Sequence, residues 1–223
     1  MTVVLAAGLV AWELRARHPF LDVRLLVSNG ALTRTYLRWA LIALCVYTVL
    51  YGITQWIQAG RGLSASEAGL LLLPMTAVSA IILGPISKRN LIRGPLIVGA
   101  AACLAGAGGV LFLTTSTPII WILIVTLAFG VALGAAASGN QTALYTQAAS
   151  GQLGTASGLF RTFGYVGSIA SSAVISIVFH KSVSDHGLHV IAVIMIAASA
   201  VTLLITVIDR RLRTSPPDPK ENP

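Results

Sequence analysis

The chain has 223 residues, of which 56% are hydrophobic and only 10% are charged, and its formal net charge is +8. In a soluble domain roughly a quarter of the residues are charged, so the composition excludes an ordinary soluble protein and indicates an integral membrane protein. The basic residues stand in short clusters between apolar runs. That pattern is typical of membrane topology signals, and we predict a lipid bilayer and no nucleic acid as partner.

The chain opens on an apolar run, residues 1–12, that is too short to cross a bilayer. A signal peptide is an alternative, but such a peptide begins with basic residues and ends at a small-residue cleavage site, and here Glu13 follows at once. We interpret residues 1–12 as the end of a partial transmembrane span. Residues 13–35 then form a cytoplasmic linker.

Six apolar stretches follow, and each is close to the length of about 20 residues that a membrane-spanning helix needs. They cover residues 36–56, 68–87, 91–113, 119–138, 156–179 and 188–208. Their length and their lack of period-two alternation exclude barrel strands. The sequence therefore predicts an all-α polytopic membrane protein with a six-helix bundle over residues 36–208. The polar, proline-rich residues 209–223 are predicted to be a disordered tail.

The basic residues predict the orientation of the bundle. If six spans alternate in direction, all Lys and Arg residues except Arg61 and Lys181 fall on one side, with Lys88, Arg89 and Arg93 in one loop of that side. The positive-inside rule makes this side cytoplasmic. The linker and the C-terminal tail are then both cytoplasmic.

Small residues recur along the fourth and fifth spans at the spacing of one helix face. In lipid, such faces let helices approach closely. The residues predicted to pack helices in this way are Gly130, Gly134, Gly154, Gly158, Gly164, Ser168 and Ser172. Either these faces only hold a static bundle together, or they let helices slide and rock as a transporter requires.

Polar side chains inside the spans are the candidates for substrate contact. Tyr47, Tyr51 and Gln55 are four residues apart and share one helix face, where aromatic rings and hydroxyls suit lipophilic compounds. The alternative is that they form interhelical hydrogen bonds and an interfacial aromatic belt. Arg161 lies inside the fifth span. It either snorkels to the headgroups or faces a water-filled cavity.

Other chemistry is sparse in the spans. No Asp or Glu lies inside a span away from its ends, although proton-coupled transport usually needs an intramembrane carboxylate or histidine. His180, His186 and His189 cluster with Asp185 in one loop, which would allow zinc, but headgroup-level polar residues explain them equally well. Cys45 and Cys103 have no metal or disulfide spacing. We predict no metal, no cofactor and no enzymatic activity.

Three segments carry a resemblance to a known family. The segments are residues 155–168, "TASGLFRTFGYVGS", residues 19–26, "PFLDVRLL", and residues 63–74, "LSASEAGLLLLP". Their order and spacing are similar to those of motifs in the fourteen-span drug:proton antiporters of the major facilitator superfamily, the EmrB/QacA type. The resemblance covers only the C-terminal half of that fold. In the loop after the second span, Lys88 stands where the family has an aspartate, and Gly164 stands where relatives have an arginine, which Arg161 replaces.

The resemblance implies a multi-pass protein of the cell membrane that exports lipophilic drugs or other small molecules by proton antiport. It implies that Asn140 and Gln141 line the substrate cavity, since the first and fourth helices of each half do so in the family. One half lacks part of the cavity wall, so a second half, or self-association, has to complete it, and the proton site lies in the missing half. The alternative is a non-transporting assembly subunit or an inactive transporter fragment.

Overall fold

The structure is a computed structural model, and it describes residues 29–209 and residue 212. The predicted partial span at 1–12 and most of the predicted linker and tail lie outside the described residues. All structural statements below concern the described part of the chain.

Six helices are long and apolar enough to cross a membrane, and each matches one predicted span. They are α1 (Gly30–Arg61), α2 (Ala65–Lys88), α3 (Arg93–Val110), α4 (Ile119–Gln147), α5 (Leu153–Val178) and α6 (Asp185–Ile208). No residue from 29 to 209 forms a β-strand. The predicted all-α fold with six transmembrane helices is confirmed.

Local capping explains where several of these helices begin. The Asn29 side chain accepts hydrogen bonds from the amides of Ala31 and Leu32, so α1 starts at Gly30, earlier than the apolar run alone indicated. At the start of α2, Ser64 and Glu67 form a reciprocal capping box. These bonds satisfy amides that would otherwise enter the membrane without partners.

The helices pack around α1, which contacts α5, α4 and α6, while α4 also packs against α2 and α3, and α3 against α6. Two glycines of α4 set the distance to α2. A Cβ atom at Gly134 would stand 2.6 Å from the carbonyl oxygen of Ser79, and one at Gly130 would stand 2.6 Å from that of Met75. The backbones of α2 and α4 are therefore in direct contact at two levels.

The bundle has two distinguishable ends and an uneven coverage of its helices. The end that carries Asn29, the 89–92 loop, the 148–152 turn and Asp209 is called the basic end below, and the opposite end is called the far end. We compared the share of residues that are buried within the most apolar stretch of each helix. That share is 61% in α1, but only 22% in α5 and 11% in α2. Large parts of α2 and α5 are thus open to lipid or to another protein segment.

Replacing Gly134 by alanine is expected to destabilise the bundle, because the new methyl group meets backbone atoms of α2 that have no room to move. Overpacking of this kind costs about 1–3 kcal/mol. The matched control is Gly84→Ala in α2, where a Cβ atom would meet nothing within 4 Å. The free energy of unfolding in mixed detergent micelles should fall only for Gly134→Ala, and equal values for the two variants would contradict the packing described here.

Candidate functional site

A cleft opens between α1 and α5, with a volume of about 270 Å³. Aromatic side chains form most of its wall, and one cation stands beside them. The lining residues are Trp39, Ala43, Tyr47, Phe160, Arg161, Gly164 and Tyr165. The structure therefore brings together two residues predicted separately from the sequence, Tyr47 and Arg161.

Stacked aromatic rings fix the walls of this cleft. The ring of Trp39 stacks on that of Phe160 at a centroid distance of 4.9 Å, and one turn earlier Tyr36 stacks on Phe163 at 5.3 Å. Such pairs stabilise by about 0.5–1.5 kcal/mol beyond area burial. The Tyr36 hydroxyl also donates to the carbonyl of Ala156, at 3.2 Å. The relative position of α1 and α5 is thus held on the basic-end side of the cleft.

Gly164 makes room for the Trp39 indole. A Cβ atom at this position would lie 2.7 Å from Nε1 of Trp39, so no larger residue fits without moving the indole. The resemblance expected an arginine here in related chains. In this chain the indole occupies that space, and the arginine stands at Arg161, on the edge of the same cleft.

The Arg161 side chain is exposed and makes no hydrogen bond or ion pair with any residue between 29 and 209. Position along α5 explains how the membrane tolerates it. Arg161 is in the third turn from the basic end of the helix, roughly 12 Å from Leu153 at 1.5 Å per residue. From that depth a long side chain reaches either the headgroups or the open mouth of the cleft.

A second cleft of about 520 Å³ continues along α1 toward the far end. It lies over a π-helical segment, Val49–Ile53, a type of distortion that often occurs at functional sites. Tyr51, Thr54, Gln55 and Gln58 supply its polar groups. The hydroxyl of Thr54 is buried and has no hydrogen-bond partner in the described part of the chain.

The two clefts are joined by the rings of Tyr47 and Tyr51, whose centroids are 5.6 Å apart. The predicted face of Tyr47, Tyr51 and Gln55 therefore lies along one open surface. We call this surface the tyrosine track. It consists of Arg161, Tyr47, Tyr51, Gln55 and Gln58.

Gln141 lines a third cleft, of about 500 Å³, between α2 and α4 near the basic end. Its amide donates to the Tyr145 hydroxyl at 3.1 Å. The Ser138 hydroxyl is buried in the same wall and has no hydrogen-bond partner among the described residues. Asn140, which was predicted beside Gln141 as a cavity residue, is fully buried and lines none of these three clefts.

Asn140 belongs instead to a buried ion network at the basic end. Arg38 and Asp209 have fully buried side chains, and Nη1 of Arg38 lies 3.0 Å from Oδ2 of Asp209. Nε of Arg38 donates to Asn140 at 3.4 Å, and Nη2 donates to the hydroxyl of Thr35 at 2.8 Å. Thr35 in turn donates to Gln147 at 2.9 Å. The network joins α1, α4 and the end of α6.

Arg34 gives Asp209 a second cation. Nε of Arg34 lies 3.0 Å from Oδ2 of Asp209, and the Arg34 side chain is 39% exposed. Burial of Asp209 opposes its ionisation, but the hydrogen bonds and charges of Arg34 and Arg38 outweigh that effect and hold the pKa of Asp209 below its usual value. Asp209 is therefore a carboxylate at neutral pH, with both arginines as counter-ions.

At the far end, another carboxylate joins α6 to α1. Asp185 accepts a hydrogen bond from Nε1 of Trp56 at 2.9 Å and one from the amide of Thr115 at 3.0 Å. His189 contacts the carbonyl of Leu113 at 2.9 Å, and His180 contacts that of Ile177. Between residues 29 and 209, no three His, Cys, Asp or Glu side chains are grouped in a way that could hold a metal ion.

The predicted packing residues fall into two sets. Gly130, Gly134 and Gly164 lie against neighbouring helices, as described above. A Cβ atom at Gly154 or Gly158 would meet nothing within 4 Å, and Ser172 is exposed while Ser168 is half-buried. On α5 the closest backbone approach to α1 is made by Gly167, which lies against the carbonyl of Ala40. For Gly154, Gly158, Ser168 and Ser172, the role in helix packing stays a prediction.

The predicted basic loop lies at the basic end, where Lys88 ends α2, Arg89 follows it and Arg93 begins α3.

Sequence reasoning missed Arg38, Asp209 and Trp39 as site residues. Arg34 and Arg38 are one turn apart at the edge of an apolar run, and Asp209 directly follows another. That arrangement was a signal for an ion pair, but we interpreted the two arginines only as topological charges and gave Asp209 no partner.

Comparison with known proteins gives consistent matches. Residues 5–172 match the protein family that is described as the Major Facilitator Superfamily. An uncharacterized MFS-type transporter of Bacillus subtilis, YwoD, is 31% identical over 92% of the chain and 46% of its own length. A second one from the same organism, YvkA, is 28% identical over 87% of the chain and 43% of its own length.

A third relative is a tetracenomycin C resistance and export protein of Streptomyces glaucescens, which is 26% identical over 82% of the chain and 34% of its own length. The chain thus spans less than half the length of each of these relatives.

Removing the buried cation should destabilise the bundle far more than removing the exposed one. Arg38→Met removes the fully buried partner of Asp209, and breaking a buried pair costs about 3–5 kcal/mol. Arg34→Met removes a partly exposed cation from the same carboxylate and leaves the buried Arg38 in place, so its loss of stability should be smaller. Unfolding free energies of both purified variants test this difference, and similar losses would contradict the structural role of Arg38.

The lowered pKa of Asp209 predicts a stability change on the acidic side. A carboxyl whose pKa is lower in the folded state stabilises above its unfolded pKa, about 4, and that contribution is lost as the pH falls through the folded value. The difference in unfolding free energy between the wild-type protein and Asp209→Asn should therefore be constant near pH 7 and shrink below about pH 4. A difference that does not change with pH would show that Asp209 is not ionised in the fold.

Proposed function

Because this chain belongs to the major facilitator superfamily, we propose that it forms the six-helix half of a membrane exporter of lipophilic small molecules, coupled to proton entry. In this proposal the chain lies in the cell membrane and its basic end faces the cytoplasm, as the positive-inside rule indicates. The tyrosine track and the aromatic wall of the α1/α5 cleft carry the proposal, because together they form an open surface that combines aromatic rings with a few hydrogen-bonding groups.

The chemistry of the track suits substrates that combine rings with polar groups. Tyr47 and Tyr51 offer aromatic faces, while Gln55 and Gln58 offer neutral hydrogen-bonding groups. The name of the Streptomyces relative records export of one antibiotic, tetracenomycin C, which supports drug-like substrates for this chain as well. Sites for small molecules are commonly apolar clefts with a small number of placed polar groups.

Proton coupling is assigned to a segment that pairs with this chain. Each described carboxylate already has a structural role, since Glu67 caps α2, Asp185 binds Trp56 and Thr115, and Asp209 pairs with two arginines. None lies on the tyrosine track. A second half, or a second copy of this chain, completes the cavity against the open sides of α2 and α5.

The open glycines of α5 give a reason to keep a second candidate, a non-transporting assembly subunit. Gly154 and Gly158 form a small-residue pair with nothing packed on it within the described chain. A subunit of that kind would bind its partner through this pair and would move no substrate.

Export is tested by deleting the gene in the source cells and restoring it, with the intracellular level of a panel of fluorescent lipophilic dyes as the readout. We expect higher dye levels in the deletion strain, rescue by the wild-type chain, and loss of rescue when a protonophore is added. Unchanged dye levels across the whole panel would favour the assembly subunit.

The double variant Tyr51→Leu, Gln55→Leu should keep insertion but narrow the range of exported dyes. Two lost hydrogen bonds of about 0.5–1.5 kcal/mol each would weaken apparent affinity by about tenfold for the dyes that use them. Gln152→Leu, an exposed glutamine outside the track, is the matched control. An identical dye profile for wild-type and double variant would contradict a substrate role for the track.

A further inference from the structure

The α1/α5 cleft has a charge pattern that no assigned property explains. Its wall holds Trp39, Tyr47, Phe160 and Tyr165, and its one charged lining residue is Arg161. A guanidinium stays protonated at every physiological pH and presents five N–H donors in a planar fork that matches a carboxylate. Beside an aromatic wall, such a group selects ligands that carry an anion on a ring system.

Arg161 is available for this role, because it has no partner among residues 29–209. Arg34 and Arg38, on the first turns of α1, are both paired with Asp209. Among the described residues no carboxylate lines the cleft or its continuation along α1, so a cationic ligand would find only aromatic faces there and would be repelled by Arg161. The charge balance of the open surface is therefore positive.

The walls of the cleft are preformed. Trp39 is stacked on Phe160 and seated on Gly164, so its indole cannot fold into the space beside Arg161. Gly164 is essential to this shape, since any side chain there would push the indole away. The volume of about 270 Å³ is near the lower limit of ligand pockets, about 300–1,000 Å³, and admits one aromatic ring system at a time.

We infer that the α1/α5 cleft binds aromatic anions, with the ring between Trp39 and Tyr47 and the carboxylate or equivalent group on the Arg161 guanidinium. This inference rests on the proposed export function and specifies its substrate class: amphipathic aromatic acids are preferred over lipophilic cations of the same size. Arg161 is then the residue that determines charge specificity, and the remainder of the tyrosine track accepts the neutral part of a longer ligand.

Three probes with one ring system test the inference: 2-naphthoate, 2-naphthamide and 2-naphthylmethylammonium. The purified chain is placed in phosphatidylcholine nanodiscs, and binding is measured by equilibrium dialysis against empty discs. Hydrogen bonds to charged groups favour the anion, so we expect naphthoate to bind at least about tenfold more tightly than either other probe. Tryptophan quenching by naphthoate should be reduced in Trp39→Phe, which places the probe in the cleft.

Arg161→Gln should remove this preference, and Arg161→Lys should restore part of it. The matched control is Arg89→Gln, which removes one exposed positive charge at the basic end without touching the cleft. Retention of the preference in Arg161→Gln, equal loss in Arg89→Gln, equal affinity for all three probes, or no binding of any of them would overturn the inference. If a lipid phosphate occupied Arg161, the three probes would bind with equal affinity, which is one of the outcomes that overturn the inference.

Failure of this inference is distinguishable from failure of the proposed function. Export of neutral and cationic dyes by the restored source cells, without any preference for the anion, would overturn the charge selectivity and leave export intact. Selective, Arg161-dependent binding of naphthoate to the chain in nanodiscs, without export of any dye, would support the cleft and overturn the transport function.

Discussion

The buried pair of Arg38 and Asp209 is the interaction on which the rest of the bundle depends. Two side chains without solvent exposure face each other at 3.0 Å, inside a membrane-spanning assembly. Burying the charge of Arg38 or of Asp209 without a counter-ion would cost several kcal/mol, and their ion pair offsets that cost. Arg38 also donates to Asn140 and Thr35, and Thr35 donates to Gln147, so the network joins α1, α4 and the end of α6.

The same two helices, α1 and α6, are joined at two further levels. At mid-height the hydroxyl of Ser199 contacts the sulfur atoms of Cys45 and Cys103, and at the far end Asp185 holds Trp56. Polar contacts at three levels therefore hold α6 against α1. The opposite surface of α1, which carries the tyrosine track, is left open beside the weakly covered α5. A transporter half of the proposed kind would need both a firmly joined pair of helices and an open polar surface.

Much of the fold was predictable, because hydropathy and capping are local properties. Six spans, the all-α class and the Ser64–Glu67 capping box all follow from short stretches of sequence. The ion network was not predictable in this way, since Arg38 and Asp209 are 171 residues apart and each looks like a topological charge at a span end. The tyrosine face was visible from its spacing, whereas its neighbour Trp39 and the space at Gly164 depend on how α5 packs on α1.

The central claim is that the open front of α1 faces water in the assembled protein while the rear of α6 faces lipid. Tyr51 on the track and Val190 on α6 are 48% and 38% exposed in the chain, and the Trp56–Asp185 and Cys45–Met195 contacts place them at similar depth. Both native cysteines are buried, so background labelling is low. The measurement is labelling of Tyr51→Cys and Val190→Cys in native membranes with a water-soluble maleimide. The account predicts labelling of Tyr51→Cys alone, and equal labelling of both, or labelling of Val190→Cys only, would contradict it.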